Sequence, residues 1–530
     1  MRTIYHGGRV YAGRGAFVTA FVTEGDRFIY AGDDAGALAC RRDGDAVVDL
    51  KGRFVCAGFN DSHMHLLSTG LALGRARLDQ HTQSLEDMIG HMRGFAASHP
   101  EGWIVGRGWN QECYTDVSRM PDRRDLDRVS RDRPVVAVRC CGHCLAVNSR
   151  VIELLGITAS TPAPEGGAIG VRDGEPDGLF YDEAMTIVYD AIPEPSFEAI
   201  KGMLREASAL LSRYGVTSCQ SDDYSTPWPT VNRAIRALID EGELTVRVTE
   251  QCNFTSVESL KAFFDAGCTP GSGDSMFRVG PLKMVADGAL GARTAYMSRP
   301  YADAPDTRGL ELLSQQTLDD MVAFANDHGM AVAVHAIGDG CLDMVLDAVE
   351  KALTRTPRAD HRHGIVHCQI TRPDQLERMA RLNMHIYAQT VFLNYDALIV
   401  RDRVGDIADS SYSWKTLMDK GLTVSNGTDS PVESPDPMRG LQCAVTRTPL
   451  SGGEAYLPDQ AFTVAQALDS YTADGAIASF EERDKGQIKA GMLADFVMLG
   501  ADPFAVAPER IAQIPILATW LGGRRVYGEI

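Results

Sequence analysis

The spacing of apolar and polar positions changes along the chain. Near the N-terminus, short β-patterned runs are broken by glycine, at 3–5, 17–22, 28–32 and 47–50. Strands this close together predict a small sheet. The last segment repeats the style at 494–499, 516–521 and 525–527. Both termini are therefore expected to build one accessory β-sandwich, from 1–56 and 485–530. Between them, β-like runs alternate with helical periods, the pattern of parallel βα units. Candidate strands fall at 55–61, 216–221, 245–251, 278–286, 331–335, 364–367, 384–389 and 422–425. Eight of them suit a closed (β/α)8 TIM barrel over 57–484. Helices are predicted at 197–213, 230–241, 316–328 and 340–354. The stretch from about 66 to 195 is too long for one βα connection. It is predicted to be an insertion over the C-terminal mouth, where the sites of such barrels lie.

Composition adds limits rather than detail. The 530 residues are 44% apolar and 23% charged, enough for a large core in a globular protein. Acidic residues outnumber basic ones, 71 to 52, for a formal charge of −19. That balance argues against nucleic acid and anionic membrane as partners and mainly favours solubility; it does not select a substrate, and the partners expected are a small-molecule substrate and a homo-oligomer. The opening residues carry His6, Gly7, Gly8 and Arg9 where a secretory apolar core would lie, and the sequence has no long apolar run. With that, the twelve scattered cysteines read as reduced thiols in the cytoplasm.

The strongest chemical motif is Gly58-Phe59-Asn60-Asp61-Ser62-His63-Met64-His65. On an extended strand, residues two apart leave the same face, so His63 and His65 can hold one divalent ion. Alone, the pair could equally be a surface or core feature. Four more residues sit at or near the C-terminal ends of candidate strands: Lys283, His335, His367 and Asp429. A lysine in a barrel interior is costly unless paired or chemically altered.

In this order across strands one, four, five, six and eight, HxH, Lys, His, His and Asp resemble the amidohydrolase superfamily. The edges 4–11 (IYHGGRVY) and 486–495 (GQIKAGMLAD) are similar to its accessory sandwich. Residues 283–294 (KMVADGALGART), 106–110 and 142–149 (GHCLAVNS) resemble the branch containing N-substituted formamide deformylase. The resemblance implies that His63 and His65 bind one metal with Asp429, and that His335 and His367 bind a second. Carbamylated Lys283 would bridge the two, a modification that burial and nearby positive charge favour by supplying neutral amine. An unmodified Lys283 in a mononuclear site is the alternative. Zinc fits this mixed ligation, as do iron, manganese, cobalt and nickel. Asp429 would move the proton from the attacking water to the leaving nitrogen.

Further residues carry two readings each. His143 is a substrate or oxyanion contact, or a structural hydrogen bond. Arg293 binds a substrate carboxylate or carbonyl, or forms an internal salt bridge. Trp109 and Tyr114 line an apolar pocket or pack the insertion, and Asp287 is expected to shape the strand-four turn. Cys140, Cys141 and Cys144 lack a second CxxC and read as buried free thiols. The expected activity is metal-dependent hydrolysis of an exocyclic amide or N-substituted formamide. An ester, a cyclic amide or an aminated heterocycle is the alternative substrate on the same site. A catalytically silent scaffold or a metal-responsive binding protein would have no need of six filled ligand positions.

Overall fold

A computed structural model of the protein describes residues 2–529. The chain forms two compact units, one from Gly70–Met203 and the other from the flanking segments. In the larger unit, eight parallel strands follow one another around a nearly closed barrel. They are β1 (Phe59–Met64), β2 (Val216–Ser221), β3 (Arg247–Asn253), β4 (Phe277–Val285), β5 (Val332–Ala336), β6 (Gly364–His367), β7 (His385–Ala388) and β8 (Val424–Asn426). Helices return the chain between most of them, including Phe197–Arg213, Trp228–Asp240, Gln315–Asp327 and Asp339–Arg355. The second of these begins two residues before its predicted start, with proline in its first turn, where a missing N–H costs nothing.

Regular pairing stops between β8 and β1, and side chains and backbone beyond the strand ends close that seam. Asp429 N–H donates to His63 O at 2.8 Å, and Thr428 N–H donates to Asp61 Oδ1 at 3.0 Å. Burial pushes the Asp61 carboxyl up to about 7, against the bonds it accepts from Thr428 and the His63 backbone. Gly427 is required here, because a Cβ would meet the His63 backbone at 2.6 Å.

The predicted strand 55–61 is two strands. Phe54–Ala57 joins a terminal sheet, and β1 begins at Phe59. The break is at Gly58, where a Cβ would strike the Thr217 side chain at 2.2 Å. The continuous apolar run concealed this change of sheet.

Both termini supply two further sheets. One orders Arg27–Gly32, Ala20–Glu24, Arg2–His6 and Ala46–Asp49; the other orders Arg524–Gly528, Ile516–Leu521, Phe496–Leu499, Phe54–Ala57, Arg9–Gly13 and Ala16–Val18. Tyr5, Phe21 and Phe28 from the first share one core with Val10, Val55, Phe496 and Trp520 from the second. Arg247 at the start of β3 forms a buried two-pronged ion pair with Asp495, at 2.7 and 2.9 Å. A fork of this kind fixes orientation as well as distance.

The Gly70–Met203 unit has a six-stranded mixed sheet ordered Gly167–Arg172, Glu175–Asp182, Cys144–Val147, Val135–Arg139, Ile104–Trp109 and Ala76–Arg77. Alternate residues go to opposite faces, and both faces are buried. Ile104, Val135, Ala137 and Ala146 pack into one core, and Val105, Val136, Val138 and Leu145 into another. Among the described residues no helix is long and apolar enough to cross a membrane.

Candidate metal centre

The six ligand-type side chains lie at or just past the C-terminal ends of β1, β4, β5, β6 and β8. His63 and His65 turn the same way at the end of β1, with ring centroids 5.3 Å apart. Their Nε2 atoms stand 3.3 and 3.1 Å from the same oxygen, Asp429 Oδ1. These three residues form a group compact enough to hold one ion. His63 also faces His367 across the centre, with centroids 5.7 Å apart. His367 Nε2 is 2.9 Å from His335 Nδ1. Lys283, buried at the end of β4, points its Nζ at Asp222 Oδ2, 3.2 Å away.

Hydrogen-bond partners fix which ring nitrogens carry protons. Gln251 Nε2 donates to Ser62 O at 3.0 Å, so its Oε1 must face His63 Nδ1, 2.6 Å away. An amide oxygen only accepts; His63 Nδ1 is therefore protonated, and the Nε2 lone pair points inward in the neutral ring. The carbonyl of Asp222 at 3.0 Å does the same for His65. Gln389 Oε1 stands 2.7 Å from His367 Nδ1 and holds that ring in place, with the Gln389 Nε2 unpartnered. His335 Nε2 donates to Gly288 O at 3.1 Å, which leaves its Nδ1 lone pair inward. The Nε2 lone pairs of His63 and His65, both facing one carboxylate oxygen, are repelled by it unless a cation or a proton sits between them. The donor set fits divalent metal, with neutral imidazoles, a carboxylate and outer oxygens that hold the rings.

Without an ion, protons take up part of that demand. Burial opposes a charge on His65, but the Asp429 carboxylate outweighs it and raises the ring to about 9. Burial and the nearby Lys283 charge lower His335 to about 4. Burial likewise opposes the Asp429 charge, and the bonds from His63 and His65 overcome it, holding this carboxyl well below its ordinary value. His367 and Asp429 also occupy left-handed backbone, with φ of 75° and 56°. Non-glycine residues held there cost of order 1–3 kcal/mol each and collect at functional sites.

Of the remaining candidates, Asp287 stands beside His335, its Oδ1 3.4 Å from the ring Nε2. Trp109 is fully buried in the core of the Gly70–Met203 unit and donates its indole N–H to Ala137 O at 2.8 Å, so the packing reading describes it. Tyr114 packs against the same core. The His143 side chain is 78% exposed and bonded to Asp182 at 3.1 Å. Arg293 forms the internal salt bridge, to Asp303 at 2.8 and 3.0 Å. Asp287 shapes the turn as expected, accepting N–H bonds from Tyr296, Ile337 and Gly338. The cysteine expectation needs correction, because Cys140 and Cys141 are exposed and only Cys144 is buried. The first two occupy the turn joining Val135–Arg139 to Cys144–Val147, outside the packed faces.

Sequence reasoning missed the residues that orient the ligands. Asp222, Gln251 and Gln389 each stand at or one position past the end of a candidate strand, the same location that marked the ligands. The pattern was available, but a glutamine or an aspartate there had no motif to set it apart.

A parallel barrel with this constellation at the C-terminal ends of its strands defines a class, the barrel metallohydrolases. Residues 46–527 match the model of the amidohydrolase family, and the chain belongs to that family. YtcJ of Bacillus subtilis (strain 168), designated an amidohydrolase, is 32% identical over 99% of each chain. The N-substituted formamide deformylase of Arthrobacter pascens is 24% identical, over 97% of this chain and 96% of its own. The crystal structure of an uncharacterized metal-dependent hydrolase from Pyrococcus furiosus superposes with a TM-score of 0.78 at 29% identity, covering 95% of this chain and all of the other.

Proposed function

We propose that the protein hydrolyses an exocyclic amide or N-substituted formamide C–N bond of a small molecule, using two divalent ions, with zinc as the best fit. Four histidines that turn a ring nitrogen inward around Asp429 and Lys283 carry this reading. In it, His63, His65 and Asp429 would hold one ion, His335 and His367 would hold the other, and a carbamylated Lys283 would serve both as a ligand. Residues 1–56 and 485–530 are the accessory sandwich, 57–484 the catalytic domain, and the twelve thiols are reduced in the cytoplasm. The formamide assignment rests on the 283–294 and 142–149 motifs and on the deformylase relative.

Divalent ions at this place supply Lewis acidity to a water and to the substrate carbonyl. Asp429 takes the proton of the attacking water and returns it to the leaving nitrogen. Gln251 keeps His63 in one tautomer and Gln389 holds His367 in one orientation, so their Nε2 atoms stay available. His143, exposed and bonded to Asp182, remains the proposed substrate contact from the insertion.

One observation favours a second reading. Lys283 faces Asp222 as an ion pair, the arrangement expected of an unmodified ammonium beside a single ion held by His63, His65 and Asp429. Metal content decides between them: two ions per chain, and partial rescue of Lys283→Ala by a small carboxylate, support the bridge. One ion and no rescue support the ammonium. For the chemistry, Asp429→Asn should keep the fold and lose at least about two orders of magnitude in rate. Near-normal turnover would remove Asp429 from proton transfer. Metal-loaded enzyme should hydrolyse alkyl- or aryl-substituted formamides or short N-acyl amines. Turnover of esters, hydantoin-like rings or aminated heterocycles alone would overturn the exocyclic-amide assignment.

A further inference from the structure

Gln369 lies two residues past the ligand His367 and is 1% exposed. Its Nε2 faces Asp396 Oδ2 at 3.4 Å, while its Oε1 has no hydrogen-bond partner. Exchanging the amide atoms would set an oxygen against a carboxylate, so the orphan must be the acceptor. A buried acceptor without a donor costs about 1–3 kcal/mol.

Asp396 closes the short helix Leu393–Asp396 that follows β7. Besides Gln369, it accepts only the Tyr412 hydroxyl, at 2.9 Å, and among the described residues no cationic side chain pairs with it. Burial pushes its carboxyl up to about 6 against the Tyr412 bond. Glu433, on the loop after β8, is also mostly buried. Burial raises it, Arg439 at 3.9 Å pulls it down, and the Asp396 charge raises it further. Glu433 therefore has Arg439 beside it, while Asp396 is left without a cationic partner next to an unpartnered acceptor.

This patch adjoins the metal centre. The Phe392 ring, four residues before Asp396, stacks on His367 with centroids 5.7 Å apart and planes 16° apart. The same loops carry exposed Tyr395, Leu398 and Val432. The loops thus carry a buried acceptor and carboxylates together with exposed apolar side chains.

We propose that Gln369, Asp396 and Glu433 form a subsite for a cationic nitrogen of the substrate, so that the preferred amide carries an ammonium-type group on an alkyl or aryl arm. The inference rests on the amidohydrolase reading for its kinetics but not for its binding. Buried hydrogen-bonding groups discriminate strongly against a partner that leaves them unpaired.

The test compares N-formyl-1,4-diaminobutane with N-pentylformamide, a pair matched in shape and differing in charge, on metal-loaded full-length enzyme. The cationic member should have a kcat/KM at least about tenfold higher, expressed mainly in KM. In Asp396→Asn with Glu433→Gln, and separately in Gln369→Leu, the ratio should fall toward one. In parallel, butylammonium chloride should raise the melting temperature of the wild type more than sodium chloride or butanol does, and the variants should lose that shift. Equal kcat/KM for the two formamides in the wild type would overturn the subsite. So would a stabilisation by magnesium or calcium that depends on Asp396 and Glu433 while butylammonium gives none. If neither formamide turns over but the butylammonium shift depends on these residues, the subsite stands and the amide reading falls.

Discussion

The barrel and the Gly70–Met203 unit are both built on sheets whose central strands are buried on both faces, yet they treat polar side chains in opposite ways. In the barrel, parallel strands end together around one opening, and polar side chains there are buried in pairs. His63 has Gln251, His367 has Gln389, and Lys283 has Asp222. In the mixed six-stranded sheet, strand ends do not converge, and each face is filled by apolar side chains. Its candidate residues were accordingly divided between interior and surface, Trp109 into the core and His143 into solvent. A chemical site needs polar groups that share a direction, and only the barrel topology supplies one.

Stripping divalent metal should separate the two regions most widely. Hydrolysis should cease, and hydrogen exchange should rise at the β1–β8 seam, where lone pairs then face Asp429 without an ion. Exchange across Val135–Arg139 and Cys144–Val147 should not change; a uniform rise in both units would mean that the metal holds the whole chain together. Trp109→Ala should do the reverse, lowering the stability of the Gly70–Met203 unit by about 3–5 kcal/mol through loss of a buried indole. A loss under about 1 kcal/mol would place Trp109 outside the core.

A smaller effect should follow from Asp125 in the same unit. Burial opposes its charge, but Arg119 at 3.0 Å and the Asp122 N–H outweigh it and hold the folded carboxyl below its ordinary value. Its stabilisation is therefore complete above the unfolded value of about 3.9 and is lost as pH falls through the lower folded value. Arg119 is partly exposed, so the contribution is about 1 kcal/mol. Asp125→Asn should flatten the acid limb of the stability curve, and an unchanged limb would deny the pair that role. The smallest stability effect belongs to His143→Ala, within about 0.5 kcal/mol for an exposed side chain. A raised KM in that variant would mark substrate contact. Unchanged kinetics would leave only the Asp182 bond.

Much of this protein was legible in its sequence. β-like apolar runs alternating with helical periods located the barrel strands, the first only in part, and the HxH pair with Lys283, His335, His367 and Asp429 picked out six side chains that the barrel gathers at one end. Those features depend on local spacing and on residue type, which the chain carries directly. The tertiary structure alone decided the rest. It divided 55–61 between two sheets at Gly58, because the obstruction there is Thr217, far away in sequence. It closed the barrel seam through Asp61 and Asp429, and it brought Asp222, Gln251 and Gln389 behind the ligands. It also set Asp396 beside Gln369 and within the field of Glu433. Hydrogen-bond partners and burial are properties of pairs of residues distant along the chain, so no local pattern encodes which oxygen faces which ring.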